Sequence, residues 1–414
     1  MAKLTMKVQH NNSTLRNSST AATVLLLATA LFSVARAGDW PRWRGPNANG
    51  IVESGNWNPA ALNDGPRITW QKELGEGYSA ASISGRRLYT LGNKKNRDSV
   101  FCLDADTGAE IWKHTYACKA RSYSGPRATP LVTGTSVYTF SREGHVFCFN
   151  AADGAVKWQR NVAKELRADV LRWGLAGSPI MLDEKILINA GKRGVAFDRS
   201  TGKTIWSSAP GVGGYATPVI YRHAGKTCAA IFGEKGLHAV DTANGRELWY
   251  KEWETRYNVN AADPIISGTK MFISSGYKRG STLVDFSGKK PRIVWETKSM
   301  SNMFSSSVLL DGHIYGIDGN AGRGTLRCLV FDTGAEKWSK NLDFGSLIVV
   351  DRKLIVLNEK GTLFIAEAVP TGYKQISEGK ILKKKVCWTA PVFAYGKIYC
   401  RNQPGTLVCV DVSK

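Results

Sequence analysis

Apolar and polar residues alternate along this chain in short runs, and the runs are separated by clusters of Gly, Asp, Asn, Pro and Ser. That period of two predicts half-buried strands joined by tight turns, not amphipathic helices. Val137–Phe140, Ile186–Ile188, Met271–Ile273, Ile314–Tyr315, Leu354–Leu357 and Ile398–Cys400 are such strands. Ahead of them stand shorter strands whose entrances read Ala-Thr/Ser-Pro or nearly so: Ala128–Pro130, Gly177–Pro179, Ala216–Pro218, Ala262–Pro264, Ser305–Ser307 and Thr389–Pro391. Pro is tolerated at the first residue of a strand because no ladder bond is lost there. After each pair comes a third strand, such as His145–Phe149.

A hairpin then closes the unit. Asp104-Ala-Asp-Thr-Gly108-Ala-Glu-Ile-Trp112 recurs as Asn150–Trp158, Asp198–Trp206 and Asp241–Trp249, with degenerate copies ending at Trp295 and Trp338. The Trp spacings are 46, 48, 43, 46 and 43 residues. A period in this range marks a repeat architecture. Asp or Asn can bond nearby backbone N–H groups in the turn, and Gly supplies a positive φ. A Trp at a constant place is best explained as a wedge against the next repeat. Four antiparallel strands per repeat is a β-propeller blade.

Inner strands begin near Ser79, Ala128, Ser178, Thr217, Asp263, Ser305, Ser346 and Ala390, which predicts an all-β, eight-bladed propeller over residues 65–414. The last blade stops at its third strand, Gly405–Asp411, whereas Pro66-Arg-Ile-Thr-Trp70 is a strand and Trp without a blade. The N-terminal strand is therefore expected to complete the last blade and close the ring, removing its exposed edges. Trp70, Trp112, Trp158, Trp206, Trp249, Trp295 and Trp338 are expected to pack between blades.

The N-terminus reads differently. Residues 1–20 are polar and basic, Ala21–Val34 is an apolar run, and Ala35-Arg-Ala37 offers small residues for cleavage before Gly38. This predicts a signal peptide over 1–37, with Met6 as an alternative start, and a soluble periplasmic or secreted mature chain. The apolar run falls short of the roughly 20 residues a membrane span needs, and no other segment suits one. Residues 38–64, rich in Gly, Pro and Asn, are expected to form an irregular cover, a plug or a strap over one face, with Trp40, Trp43 and Trp57 packed on the domain surface.

The formal charge is +22, and Lys3, Lys7, Arg16 and Arg36 stand in the first 37 residues without an acid, leaving +18 for the remainder. The basic residues are spread through the turns in short clusters such as Lys94–Lys95 and Lys383–Lys385, and are not blocked into one patch. The excess reads as a solubility feature, and no specific nucleic-acid partner is expected.

At the repeat hairpins the chain resembles the pyrroloquinoline-quinone-like repeat family, whose outer-strand signature Ala/Asp-x-x-Thr-Gly-x-x-x-Trp is matched at Asp104–Trp112, Asp198–Trp206 and Asp241–Trp249. The resemblance spans about residues 65–414. It implies one of two branches: quinone-dependent alcohol and sugar dehydrogenases, or non-enzymatic propellers similar to the β-propeller component of the outer-membrane barrel-assembly machine. The opening Trp40–Pro46 and the closing Cys387–Pro391 with Tyr399–Asn402 look like exported members of the second kind.

The chemistry of the chain agrees with that branch. The resemblance implies that a dehydrogenase would hold its quinone with two adjacent cysteines, a Trp floor and a calcium on acids and amides. Cys102, Cys118, Cys148, Cys228, Cys328, Cys387, Cys400 and Cys409 include no adjacent pair. Cys102, Cys148, Cys328 and Cys409 share one third-strand position and read as small buried hydrophobes; Cys400 and Cys409 flank a turn and could be cross-strand neighbours, leaving a disulfide open. Asp169 and Asp263, in different blades, are the acids nearest the axis. No zinc or haem spacing, phosphate loop, calcium loop or nucleophile elbow is present. Loops entering the inner strands should ring one mouth of the channel, bringing together Tyr78, Tyr123, Arg127, Arg172, Trp173, Tyr215, Asn260, Asn302, Phe304 and Trp388. Such residues suit a peptide, glycan or small ligand; the competing reading is that they fill the channel. The expected function is thus an exported, monomeric, non-enzymatic binding or scaffolding propeller with a protein or glycan partner in the cell envelope and no cofactor. The alternative is a pyrroloquinoline-quinone-dependent dehydrogenase with a degenerate site.

Overall fold

Residues 82–117 set the pattern for the whole ring: Ser82–Ser84, Arg87–Lys94, Arg97–Asp104 and Glu110–Ala117 pair antiparallel in that order. The computed structural model describes residues 38–383 and 386–414, together with Met1. The leader expected over 1–37 and the pair Lys384–Lys385 lie outside these residues. Seven more four-stranded antiparallel blades follow, with inner strands Leu131–Thr133, Ile180–Leu182, Val219–His223, Ile265–Ser267, Val308–Leu310, Gly345–Val350 and Val392–Ala394. The chain is an eight-bladed all-β propeller. Among the described residues no helix is long and apolar enough to cross a membrane.

Successive blades are joined by a repeated side-chain row. In the first blade Tyr89, Cys102 and Trp112 stand opposite one another across three strands, and Tyr138, Cys148 and Trp158 do the same in the second. The indole N–H of Trp112 donates to the Ala151 carbonyl of the next blade's outer turn at 3.1 Å, and the Tyr89 hydroxyl donates to that same carbonyl at 3.2 Å. Trp158 and Tyr138 share the Arg199 carbonyl likewise. Trp206, Trp295 and Trp338 donate to Thr242, Phe331 and Val369. The receiving turn carries glycine because the ring lies on it: a Cβ on Gly154, whose φ is +75°, would sit 2.6 Å from Trp112. Trp249 departs from this pattern. It faces the longer turn after Asp285, stacks on Phe286 at 6.0 Å, and its indole N–H has no partner.

The ring closes with Arg67–Glu73, which pairs antiparallel with Thr406–Asp411 as the outer strand of the eighth blade. Trp70 then donates to Ala105 of the first blade, where the Tyr399 hydroxyl also binds. The seventh blade has no outer Trp; there the Ser377 hydroxyl donates to the Pro59 carbonyl at 2.6 Å.

The first part of the segment before the closing strand, residues 40–52, lies at the axis, and residues 54–59 then run along the Asp351 turn and the edges of the seventh and eighth blades. Trp40 is 2% exposed and Trp57 4%, both within the hydrophobic core, and Trp43 is half-buried. Trp40 exchanges two backbone bonds with Ile83 of the first blade, Pro41 accepts from Val132 of the second, and Ile51–Val52 adds a parallel fifth strand to the inner edge of the seventh. That blade lacks the Pro at its entrance, so its longer inner strand has N–H groups to offer, and Val349 donates to Gly50. The expected surface packing of Trp40 and Trp57 is corrected on physical grounds: apolar faces left by the blades bury both indoles, Trp40 against Ile83 of the first blade and Trp57 against Phe393 of the eighth.

Cysteine geometry decides the remaining disulfide. Cys400 stands opposite Val408, and Cys409 opposite Tyr399. The two cysteines are one register step apart and point to opposite faces of the sheet. All eight cysteines are buried and unbridged.

Candidate functional site

The entrances of the inner strands form a relay around the axis. The Thr129 N–H donates to the Ser178 hydroxyl at 2.9 Å, Ser178 N–H to Thr217 at 3.0 Å, Thr217 N–H to the Asp263 carboxylate at 2.8 Å, and Asp263 N–H to Ser306 at 2.9 Å. The hydroxyls of Ser178, Thr217 and Ser306 thus each accept the N–H of the preceding blade, whereas the Thr129 hydroxyl has no partner. Asp263 takes the hydroxyl's place in the fifth blade, and its second oxygen is left over. That oxygen accepts the indole N–H of Trp43 at 2.5 Å and faces the Arg44 guanidinium at 4.0 Å. The relay thus fixes the plug, and Trp43 becomes the floor of the mouth.

Above Trp43 lies a cavity of about 230 Å³. The structure brings seven of the ten expected mouth residues to its wall: Tyr78, Tyr123, Arg127, Trp173, Tyr215, Phe304 and Trp388. Tyr78 stacks on Trp388 with centroids 5.7 Å apart and planes at 16°. Phe304 approaches Trp388 to 4.9 Å, and Trp173 approaches Tyr215 to 6.0 Å. The Arg127 guanidinium lies 5.3 Å from the Tyr78 ring centre and donates to the Gly125 and Tyr123 carbonyls. Burial, and then the nearby Arg142, hold the Arg127 guanidinium down to about 10. Burial pushes the Tyr78 and Tyr215 phenols up to about 12, so both are neutral donors at neutral pH.

Three expected residues lie elsewhere. Arg172 is exposed beyond the cavity wall, with its guanidinium over Trp173 and Tyr257. Asn260 is fully buried; its amide donates to Gly233, Glu234 and Trp253 and its oxygen accepts from Ser275. Asn302, 1% exposed, bridges the Ile317 carbonyl and the Ser307 hydroxyl. Both amides satisfy buried backbone groups in place of a ligand, as buried polar groups require. Conversely, Trp43, Tyr277 and Ala321 line the cavity without having been expected. Tyr277 and Ala321 sit in turns between second and third strands. In an antiparallel blade those turns open at the same end as the inner-strand entrances, so the alternation itself could have located them.

The donor set bears on a calcium-assisted quinone. Calcium takes about six to eight oxygen ligands. Asp263 is the one carboxylate among the described residues of the wall, and both its oxygens are engaged. Asp169 is exposed, in a two-residue pairing of Ala168–Asp169 with Gly211–Val212. Burial raises the Asp263 carboxyl above the usual range, against Arg44 and Trp43, which lower it.

Comparison with known proteins places this geometry. The pattern of the family described as outer membrane protein assembly factor BamB matches residues 60–163 and 96–340. BamB of Yersinia pestis is 24% identical over 364 residues, covering 84% of this chain and 78% of that protein. The crystal structure of BamB from Moraxella catarrhalis superposes with a TM-score of 0.61 at 14% identity, over 84% of this chain and 99% of that one. A quinohemoprotein alcohol dehydrogenase from Pseudomonas putida HK5 superposes with a TM-score of 0.69 at 11% identity, over 91% of this chain and 80% of that one. At such identities the likenesses to these two solved structures are of fold alone.

Proposed function

The chain belongs to the outer membrane protein assembly factor BamB family, and from that premise we propose that it is an exported, non-enzymatic propeller that binds a partner at its axial mouth and scaffolds an assembly of the cell envelope. One observation carries the reading. The channel below the mouth is already filled by the chain's own residues 40–52, yet an aromatic cavity of about 230 Å³ stays open above Trp43. Rings whose task was to fill the channel would have closed it, because interiors pack to high density. Export rests on the leader read in residues 1–37, and a monomer is the expected state.

The dehydrogenase alternative lacks support at the residues. The adjacent cysteines are missing from the sequence, the wall's carboxylate is committed to Thr217 and Trp43, and Trp43 and Arg44 stand at the axis. The residues present do not fit a quinone held with calcium.

Two experiments test the reading. Tagged mature protein should capture a defined partner from a solubilised envelope fraction, and Trp388→Ala should abolish capture while leaving the fold intact by circular dichroism. Capture unaffected by that substitution would move the site away from the mouth. Protein mixed with pyrroloquinoline quinone and calcium should show no saturable binding and no dye-linked alcohol or sugar oxidation; stoichiometric binding with turnover would replace the scaffold by the dehydrogenase.

A further inference from the structure

The Ser, Thr and Asp groups of the cavity wall are spoken for, which leaves the Tyr phenols and Arg127 as its polar groups. Ser178 and Thr217 accept backbone N–H groups, the Thr389 hydroxyl donates to the Tyr78 carbonyl at 3.1 Å, and Asp263 holds Thr217 and Trp43. A sugar ring placed here would find partners only in the phenols and in Arg127, and each hydroxyl beyond their reach would cost its desolvation. An apolar ring would lose nothing and would gain faces to stack on. For scale, an apolar cavity of about 150 Å³ accommodates benzene, so 230 Å³ takes a phenyl or indole group with room for its neighbour.

Charge adds the second requirement. Among the described residues no carboxylate lies within 4.0 Å of the Arg127 or Arg172 guanidinium. Arg127 is bonded only to neutral carbonyls, and Arg142 beside it is likewise bonded to carbonyls, of Ser122 and Tyr123 among them. The Arg127 guanidinium, on the wall of an aromatic pocket and without a carboxylate partner, is a half-completed site for a carboxylate, which Arg binds with strong, charge-assisted geometry.

We infer that the mouth recognises a polypeptide by an aromatic side chain inserted beside the Tyr78–Trp388 stack and a flanking acidic side chain that meets Arg127. This rests on the partner-binding reading above and names the chemistry of the partner. The ring supplies the apolar contact, and the carboxylate neutralises the guanidinium and selects acidic–aromatic sequences over neutral ones.

The test varies ring and charge separately on the unaltered protein. Trp43, Trp173 and Trp388 line the cavity, so binding reads out as a change in tryptophan fluorescence. The probes are the blocked dipeptides acetyl-Glu-Phe-amide, acetyl-Gln-Phe-amide and acetyl-Glu-Ala-amide, with methyl β-glucuronide as the acidic sugar. Acetyl-Glu-Phe-amide should bind about tenfold tighter than either other dipeptide, the scale of one charged hydrogen bond. Arg127→Gln should bring the Glu-Phe and Gln-Phe probes to equal affinity. Equal binding of those two by the wild type, tighter binding of the glucuronide, or no binding of any probe would each overturn the inference. The envelope capture described above separates this from its premise. If capture still depends on Trp388 while the probes fail, the partner reading stands and the ligand chemistry falls; if capture ignores Trp388, the partner reading itself falls.

Discussion

The rim and the axis of this propeller solve the same problem, joining eight blades, in opposite ways. At the rim one device is copied: a Trp, often with a Tyr, donates to one carbonyl of the next blade and covers that blade's turn glycine. At the axis the joint is shared by many residues that do not repeat: hydroxyls relayed between blades, one carboxylate standing in for a hydroxyl, and a single N-terminal segment touching six blades. The contrast shows where variation is tolerated. A copied joint can lose one member, as at Trp249, because its neighbours persist. A unique joint cannot, and it is also where a unique surface can arise.

The greatest loss should come from deleting residues 38–70, which removes both the plug and most of the closing strand. The chain should aggregate or lose cooperative unfolding, and a truncated protein that melts like the mature chain would show the closure to be dispensable. Next in size, Trp112→Ala should cost about 3–5 kcal/mol by urea denaturation, the range for buried aromatics. Trp249→Ala should cost measurably less, since its indole N–H forms no bond to the next blade; equal losses would mean that the hydrogen bond contributes nothing at the rim. Smaller again, Gly154→Ala should cost about 1–3 kcal/mol, combining a positive φ with a methyl pressed on Trp112. The same change at Gly312, also at positive φ but with open space around it, should cost less.

The smallest effect is a contrast in pH dependence. Burial raises the axial Asp263 carboxyl above 3.8, its ordinary value. Its native form binds its proton more tightly than the unfolded chain, so its contribution is fully present below 3.8 and is lost as pH rises through the folded value. At the rim, the Ser287 N–H and then Arg292 hold Asp285 down to about 2. Its contribution is present above the unfolded value and is lost as pH falls from 3.8 towards 2. Stability curves for Asp263→Asn and Asp285→Asn, each taken as variant minus wild type, should therefore slope in opposite directions. The first difference rises as pH climbs above 3.8, and the second falls as pH climbs from about 2 to 3.8. Parallel slopes would contradict the assignment of burial as the dominant influence at the axis.

Much of the rim was legible residue by residue. Turn chemistry at Asp104–Gly108 and its copies, strand alternation and the lone strand at Arg67–Trp70 each carry a local signal with a fixed spacing. The mouth was legible in part, because its residues are neighbours in space and not in sequence. Tyr78, Tyr123, Arg127, Trp173, Tyr215, Phe304 and Trp388 could be gathered by counting inner-strand entrances. Asn260 and Asn302 could not be told from ligand groups, since an amide that serves buried carbonyls looks the same in sequence as one that serves a partner.

The blade, the number of blades and the order of their strands follow from the amino-acid pattern alone, because period, turn and alternation are local and repeat eight times. The interior of the ring does not. Whether Trp40 and Trp43 lie on the surface or on the axis depends on the width of a channel that exists only once eight blades have closed. Asp263 is an entrance residue like any Ser or Thr until Trp43 and Arg44 arrive from 220 and 219 positions earlier in the chain. Long-range contacts of that kind are set by which faces remain unfilled after the repeats have packed, and no local pattern records them.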